Sequence, residues 1–561
     1  MRTAPLLLLL LGACTTPAAP GAGKGDDTDT AGAADSDTPD TGTPVDTDTA
    51  DTAPVGCVPP APAGLSEVRL PHGTFRGEVL EGGIRRWLGL RFGESTAGDG
   101  RFRPPTPPGC QDEVQVATAP APVCVQWSED RRTVVGSEDC LFLNVWAPKD
   151  ATDAPVLLWW HGGGHEQGST SDRLGGELTY DGAGLAARGV VVVAASYRLG
   201  PFGFLAHPLL SAGDDGNGNW GTLDQLASLQ WVHDHVAAFG GDPGRVTVAG
   251  QSAGGVSACR AAVIERARGQ MHRAIVASGG CTARPLATAL AQGVEVADQV
   301  GCEDAPDGAC LRQASVTDLM DTFAPLADGV STLGGTWSGV IDGKLVLDLP
   351  RRMVADGKAV VDTVLVSATE EEAGRAPPPV ADAATFELLV KAFLGSAGIL
   401  PLPALVERIT DQYDEATYGS WQDAWVAAAS DAKFVCTATS DLEAWAAGGA
   451  RAWRLHFDDR LDNLPKAPSN RPFHGADLLW SFEHLDELAL AASAADRAQA
   501  DDLADVWAAF ATTGDPRPDA RDWPQWTPEV DPAWRVASGT SGDAGRIDGV
   551  HTDGCAVWTF P

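Results

Sequence analysis

A series of short apolar runs without polar alternation constrains this chain more than any other feature. Val156–Trp160, Val190–Ala195, Val246–Ala249, Ala274–Ala277, Val364–Val366 and Ala452–Phe457 recur along the 561 residues. A strand with one wet face alternates apolar and polar residues, whereas a strand covered on both faces does not. These runs predict a mostly parallel sheet flanked by helices. The segments between them agree. Leu223, Leu226, Leu229, Val232 and Val236 recur at helical spacing, and Gly240, Gly241 and Pro243 stop that helix before the next strand. Strand–helix alternation of this kind implies an α/β fold with crossover connections.

Composition narrows the function classes. At 44% hydrophobic residues the chain has material for a large core. No run reaches the roughly 18 apolar residues of a membrane-spanning helix. The formal net charge of -36 would repel phosphate backbones, so nucleic acid is not an expected partner.

The N-terminus reads as an address. In residues 1–14, Arg2 precedes a leucine run and small residues that end at Cys14. That is the pattern of an export signal. Leu11-Gly12-Ala13-Cys14 also resembles a bacterial lipobox, which would lipidate Cys14 and anchor the protein to the cell envelope; an ordinary signal for secretion is the alternative. Residues 15–56 are rich in Asp, Thr, Pro, Gly and Ala, too poor in apolar surface to offset the entropy of ordering. They are expected to be a disordered spacer carrying one folded domain over 57–561.

Two motifs carry chemistry. Val246–Ala249 runs into Gly250-Gln251-Ser252-Ala253-Gly254, a G-x-S-x-G sequence between an apolar strand and an Ala-rich segment. With 64 glycines in the chain, chance alone supplies roughly 0.3 such pentapeptides, so the strand–turn–helix setting gives the motif its weight. Glycines there permit a strained turn that lifts a serine hydroxyl above the sheet edge. About ninety residues earlier, Val156–Trp160 leads into His161-Gly162-Gly163-Gly164. Acyl transfer builds an oxyanion, and glycine lets backbone N–H donors approach it.

Several stretches then match a known family in order. They are Ser137-Glu138-Asp139-Cys140-Leu141-Phe142-Leu143-Asn144-Val145, Tyr197-Arg198-Leu199-Gly200, Phe239-Gly240-Gly241-Asp242-Pro243, Gly250–Gly255, and Trp507–Ala511 through Gly514-Asp515-Pro516 and Trp523-Pro524. From about Gly73 onward the chain resembles the type-B carboxylesterases, a family that includes cholinesterases and bacterial para-nitrobenzyl esterases. The resemblance implies the α/β-hydrolase fold, a small-molecule ester substrate, and a serine nucleophile with an acid and a histidine following in that order. It implies no cofactor.

Carried over to this sequence, the nucleophile is Ser252. Among the histidines after the acid, His456 lies in an apolar strand, His484 in an acidic helix-like stretch and His551 in a polar tail. His474, in Pro472-Phe473-His474-Gly475, matches the family's His-Gly motif and is the expected base. Val364–Val366 leads to Glu370-Glu371-Glu372, and the family pattern puts the acid at Glu372 with Glu371 as the alternative; the other glutamates are expected to be a solvated turn. The implied oxyanion donors are the N–H groups of Gly163, Gly164 and Ala253.

Gln251 stands where cholinesterases keep a glutamate, and no tryptophan falls at the choline-stacking position, so neutral esters are favoured over choline esters. The loop between Cys124 and Cys140 is short and contains Trp127 and Asp130. His165 replaces the usual aromatic after the glycines, as a rim contact or merely an exposed polar residue. The resemblance also implies disulfides Cys124–Cys140, Cys302–Cys310 and Cys436–Cys555. Cys57 with Cys110 is an additional candidate pair, and Cys259 and Cys281 are either a bridge or two buried thiols. No C-x-x-C or sequence-local Cys/His cluster points to a metal. A catalytically silent binding protein on the same fold is the rival reading, disfavoured by the presence of all three catalytic residue types.

Overall fold

The computed structural model describes residues 59–558, apart from stretches at 65, 129–131, 175, 212, 214–215, 324–336, 376, 397–398, 464–470 and 487–491. The expected leader with Cys14, the acidic spacer, Cys57 and Asp130 lie outside the described residues.

The central sheet is built from β1 (Glu78–Val79), β2 (Arg85–Arg91), β3 (Phe142–Ala147), β4 (Ala154–Trp160), β5 (Val191–Ala195), β6 (Gly241–Gln251), β7 (Arg273–Ala277), β8 (Thr363–Thr369), β9 (Arg451–Phe457), β10 (Pro532–Val536) and β11 (Gly545–Asp548). Their spatial order is β11-β10-β9-β8-β7-β6-β4-β5-β3-β2-β1. The strands from β5 to β10 in that order are mutually parallel. Antiparallel strands complete both edges. Each of the six apolar runs became a strand of this sheet.

Its two faces explain why those runs do not alternate. Val156, Leu158 and Trp160 of β4 enter one core with Val191, Val193, Val246 and Val248. Leu157 and Trp159, between them in sequence, enter the opposite core with Val192, Ala194, Ala249 and Ile275. Every residue of β4 is buried, so neither face tolerates a polar side chain. Removing each large aliphatic side chain from water contributes about 1.5–3 kcal/mol.

The helices that matter for the site are α1 (Trp220–His235), α2 (Ala253–Ala261), α3 (Trp421–Ser430), α4 (Cys436–Ala447), α5 (Ala494–Thr513) and α6 (Thr552–Trp558). The expected stop after α1 is a 3-10 turn over Val236–Phe239, closed by Gly240 at φ 90°. The helix α5 begins with a reciprocal Ser493/Asp496 cap and ends at left-handed Gly514. It packs Trp507 against Trp159 with ring centroids 5.7 Å apart. Beyond α5 and its loop, α6 returns to the cluster formed by Phe386, Val390, Val406, Ile409 and Trp425.

Disulfides join Cys124 to Cys140, Cys302 to Cys310 and Cys436 to Cys555. Cys259 and Cys281, open from sequence, are also bridged, tying α2 to the segment after β7. Cys110 is disulfide-bonded too. Among the described residues no helix is long and apolar enough to cross a membrane.

Candidate active site

β6 delivers Ser252 at the C-terminal edge of the sheet, where open α/β sheets carry their sites. Ser252 adopts φ 58° and ψ -125°, a conformation unusual for a residue with a side chain. Backbone hydrogen bonds on both sides of it hold that conformation. The Ser252 N–H donates to the Ala277 carbonyl at 2.8 Å, and the Val256 N–H donates to the Ser252 carbonyl at 2.9 Å. Glycine is obligatory on both sides. A Cβ on Gly250 would lie 2.3 Å from the Gly254 carbonyl carbon, and one on Gly254 would lie 1.9 Å from the Trp160 carbonyl oxygen.

The β8 strand delivers the acid. Glu372 starts a 3-10 turn just beyond Thr369 and is buried. One carboxylate oxygen accepts from the Thr369 N–H at 2.8 Å, and the other meets His474 Nδ1 at 2.6 Å. Burial opposes ionisation of Glu372, but the charge and hydrogen bond of His474, with the Thr369 N–H, outweigh it and hold the carboxyl below its usual range. Glu371 instead pairs with Arg460 at 2.9 Å and Arg471 at 3.5 Å. Glu370 bonds His456 Nε2 at 2.7 Å and His551 Nε2 at 2.9 Å. The expectation that these two form a solvated acidic turn is therefore corrected: each carboxylate of the triplet has its own cationic or imidazole partner.

His474 sits where the segment after β9 folds back over the sheet. Its N–H donates to the Glu372 carbonyl at 3.1 Å, and the downstream Trp480 ring packs edge-on against Phe457 of β9 at 5.1 Å. With Nδ1 directed at Glu372, Nε2 carries the lone pair. That lone pair faces the Gln251 amide nitrogen at 3.3 Å. Among the described residues, Ser252 has no side-chain hydrogen bond to His474; the two line one cavity of about 1650 Å³. Gln251 thus faces the base nitrogen, a contact that sequence did not suggest.

Gly163 and Gly164, at φ 102° and 66°, line the same cavity together with Ala253. A Cβ on Gly163 would meet the Gln167 carbonyl oxygen at 2.1 Å. Among the described residues, no hydrogen bond engages the N–H groups of Gly163, Gly164 or Ala253. Donors left unused beside a nucleophile suit a developing oxyanion. Trp127 also lines this cavity.

The other histidines have structural partners. His165 is not an exposed polar residue: it lines the cavity from a buried position, 3% exposed, bonded to Ser257 Oγ at 3.0 Å and packed on Phe204. His161 is buried against Tyr197 with its pKa pushed down to about 4 by burial. His484 Nε2 contacts the Thr179 carbonyl. Glu370, His456 and His551, far apart in sequence, place potential ligand atoms within 4.8 Å of one another, a cluster invisible to any search for local metal motifs.

The model of the carboxylesterase family matches residues 65–545. The chain belongs to this family. This carboxylesterase is 31% identical to para-nitrobenzyl esterase of Bacillus subtilis (strain 168) over 476 residues, covering 82% of this chain and 93% of that protein. It is 32% identical to fumonisin B1 esterase of Sphingopyxis macrogoltabida over 496 residues, 83% of this chain and 86% of that one. Acetylcholinesterase of Bungarus fasciatus is 29% identical over 518 residues, 84% of each chain. A solved para-nitrobenzyl esterase structure superposes with a TM-score of 0.74 at 28% identity, covering 88% of this chain and 99% of its own. The sheet order and flanking helices of the carboxylesterase are those of the α/β-hydrolase fold, and the protein is a carboxylic ester hydrolase.

Proposed function

We propose that this carboxylesterase works through an acyl-enzyme formed on Ser252. Ser252 Oγ bonds to the ester carbonyl carbon as His474 Nε2 takes its proton, and the carbonyl oxygen becomes an oxyanion bound by the N–H groups of Gly163, Gly164 and Ala253. His474 then gives that proton to the departing alcohol. A water deprotonated by His474 attacks the acyl-enzyme, and as the bond to Ser252 Oγ breaks His474 returns that proton to Oγ, releasing the carboxylic acid and restoring Ser252. Glu372 fixes the Nδ1–H tautomer and stabilises the imidazolium. The Gln251 amide must turn aside for the first proton transfer, as catalytic hydrogen bonds commonly align only in the substrate complex.

The single observation that carries this reading is the convergence of Glu372, His474 and Ser252 from three distant segments into one cavity beside unused N–H donors. Hydrolysis of a short-chain nitrophenyl ester by wild type and Ser252→Ala tests it. The variant is expected to lose at least about 10³-fold in kcat/KM, and equal rates would remove Ser252 from the reaction. The neutral Gln251 beside the serine favours uncharged esters, which a panel of graded acyl chains with matched choline esters would measure.

We also propose that Cys14 is lipidated and that residues 15–56 hold the enzyme off a membrane. Cys14→Ser should move the activity from the membrane fraction to the soluble one. Unchanged partitioning would leave ordinary secretion as the explanation.

A further inference from the structure

Behind the catalytic acid lies a set of partly buried charges that the esterase reaction does not itself use. Glu370, two residues before Glu372, accepts at one carboxylate oxygen from both His456 and His551. The other ring nitrogen of His551 is bonded to Asp431 Oδ1. Asp431 Oδ2 accepts from the Tyr413 hydroxyl at 2.7 Å, and that hydroxyl accepts from Trp558 Nε1 at 2.9 Å. Two further carboxylates lie nearby: Asp458 is bonded to Arg535, and Asp531, which accepts from the Val550 N–H beside His551, pairs with Arg454, whose guanidinium also feels the Asp431 charge. His551 holds φ 52°, a strained position for a β-carbon residue, just ahead of α6.

Both ends of the His551 contact lead to the catalytic histidine. Glu370 continues the β8 ladder, its N–H donating to the Phe457 carbonyl at 2.8 Å, and so fixes the turn that carries Glu372. Asp431 opens a π-helical turn, Asp431–Val435, between α3 and α4. Such turns recur at functional sites. Phe434 of that turn packs its ring on the His474 imidazole, centroids 4.5 Å apart. Burial alone would push His551 down, but the hydrogen bonds and charges of Asp431 and Glu370 prevail and raise it to about 10.

We propose that His551 is a positioning residue for ester hydrolysis: bridging Glu370 and Asp431, it locks the acid turn against the Nδ1 edge of His474 and the Phe434 turn against its ring. The proposal rests on the reading of Ser252, Glu372 and His474 as the reacting groups.

The test measures kcat and KM per titratable active site, and the acidic limb of kcat/KM, in the full chain. His551→Gln is expected to lower kcat about tenfold with KM within about twofold. Removing the cation between Glu370 and Asp431, it should move the acidic limb to higher pH by roughly half a unit. Glu370→Gln removes a negative charge and keeps the cation, so its limb should move the opposite way; this milder variant also decides the matter if His551→Gln does not fold. His551→Lys retains charge without the bridging geometry and should lose kcat while restoring the limb. Unchanged per-site kcat and an unmoved limb in the folded variants would overturn the proposal, even where the melting temperature falls. A stoichiometric divalent metal in wild type that His551→Gln loses would also overturn it, in favour of a metal site. Ser252→Ala in parallel separates this from the acyl-enzyme reading, since its outcome does not depend on His551.

Discussion

The strand ends of β6 and β8 face one cavity and are held by opposite means. The turn after β6 is fixed by backbone and sterics: Ser252 is in a strained conformation, its neighbours lack room for a Cβ, and its hydroxyl has no bond to His474. The turn after β8 is fixed by side-chain charge. Glu370, Glu371 and Glu372 each find separate imidazole or guanidinium partners. Positioning by sterics leaves the nucleophile unencumbered for substrate, whereas positioning by ion pairs orients the acid before substrate arrives.

If that contrast is right, the largest effect belongs to glycine. Gly254→Ala places a methyl against the Trp160 carbonyl and should cost about 3 kcal/mol or more, despite the better helix propensity of alanine. Chemical denaturation would measure this, and a neutral result would break the steric half of the comparison. On the β8 side, Glu372→Gln keeps the shape but loses the charge that selects the His474 tautomer, and kcat should fall by up to about 10⁴. Glu371→Gln, which gives up only the Arg460 and Arg471 pairings, should cost less than about tenfold. Steady-state kinetics of the two together would expose a reversed assignment. Smaller still, Gln251→Glu puts a carboxylate at the His474 Nε2 position and should move the acidic limb of kcat/KM upward, by up to about one unit. A downward shift would contradict the contact described between them.

The ionisation of His551 has its own signature in stability. A histidine raised to about 10 from its ordinary 6.5 contributes stability that is complete below about 6.5 and is lost as pH rises through 10. Melting temperatures followed from pH 6 to 10 should decline less in His551→Gln than in wild type. Parallel profiles would mean that the imidazole is not charged in the fold.

Much of this was readable from local pattern. Ala154–Trp160 and Gly241–Gln251 announced themselves because burial on both faces excludes polar residues, a requirement written into consecutive positions. Gly250, Ser252 and Gly254 were legible because a tight turn and its steric limits involve residues close in sequence. Glu372 and His474 needed the family resemblance, since nothing local separates Glu372 from Glu371. Less legible were His165, which local polarity suggested was outside and which Ser257 and Phe204 draw inside, and His551, whose partners lie 181 and 120 positions away.

The sequence by itself determined the six central strands, the strained serine turn and the order of the chemical groups along the chain, because each depends on neighbours a few residues apart. Tertiary structure alone decided which carboxylate meets which imidazole, that Gln251 rather than Ser252 faces His474, and that Cys259 meets Cys281. Those pairings are set by how distant strand ends and helices pack, and electrostatic contact falls away over a few ångströms that no local pattern encodes.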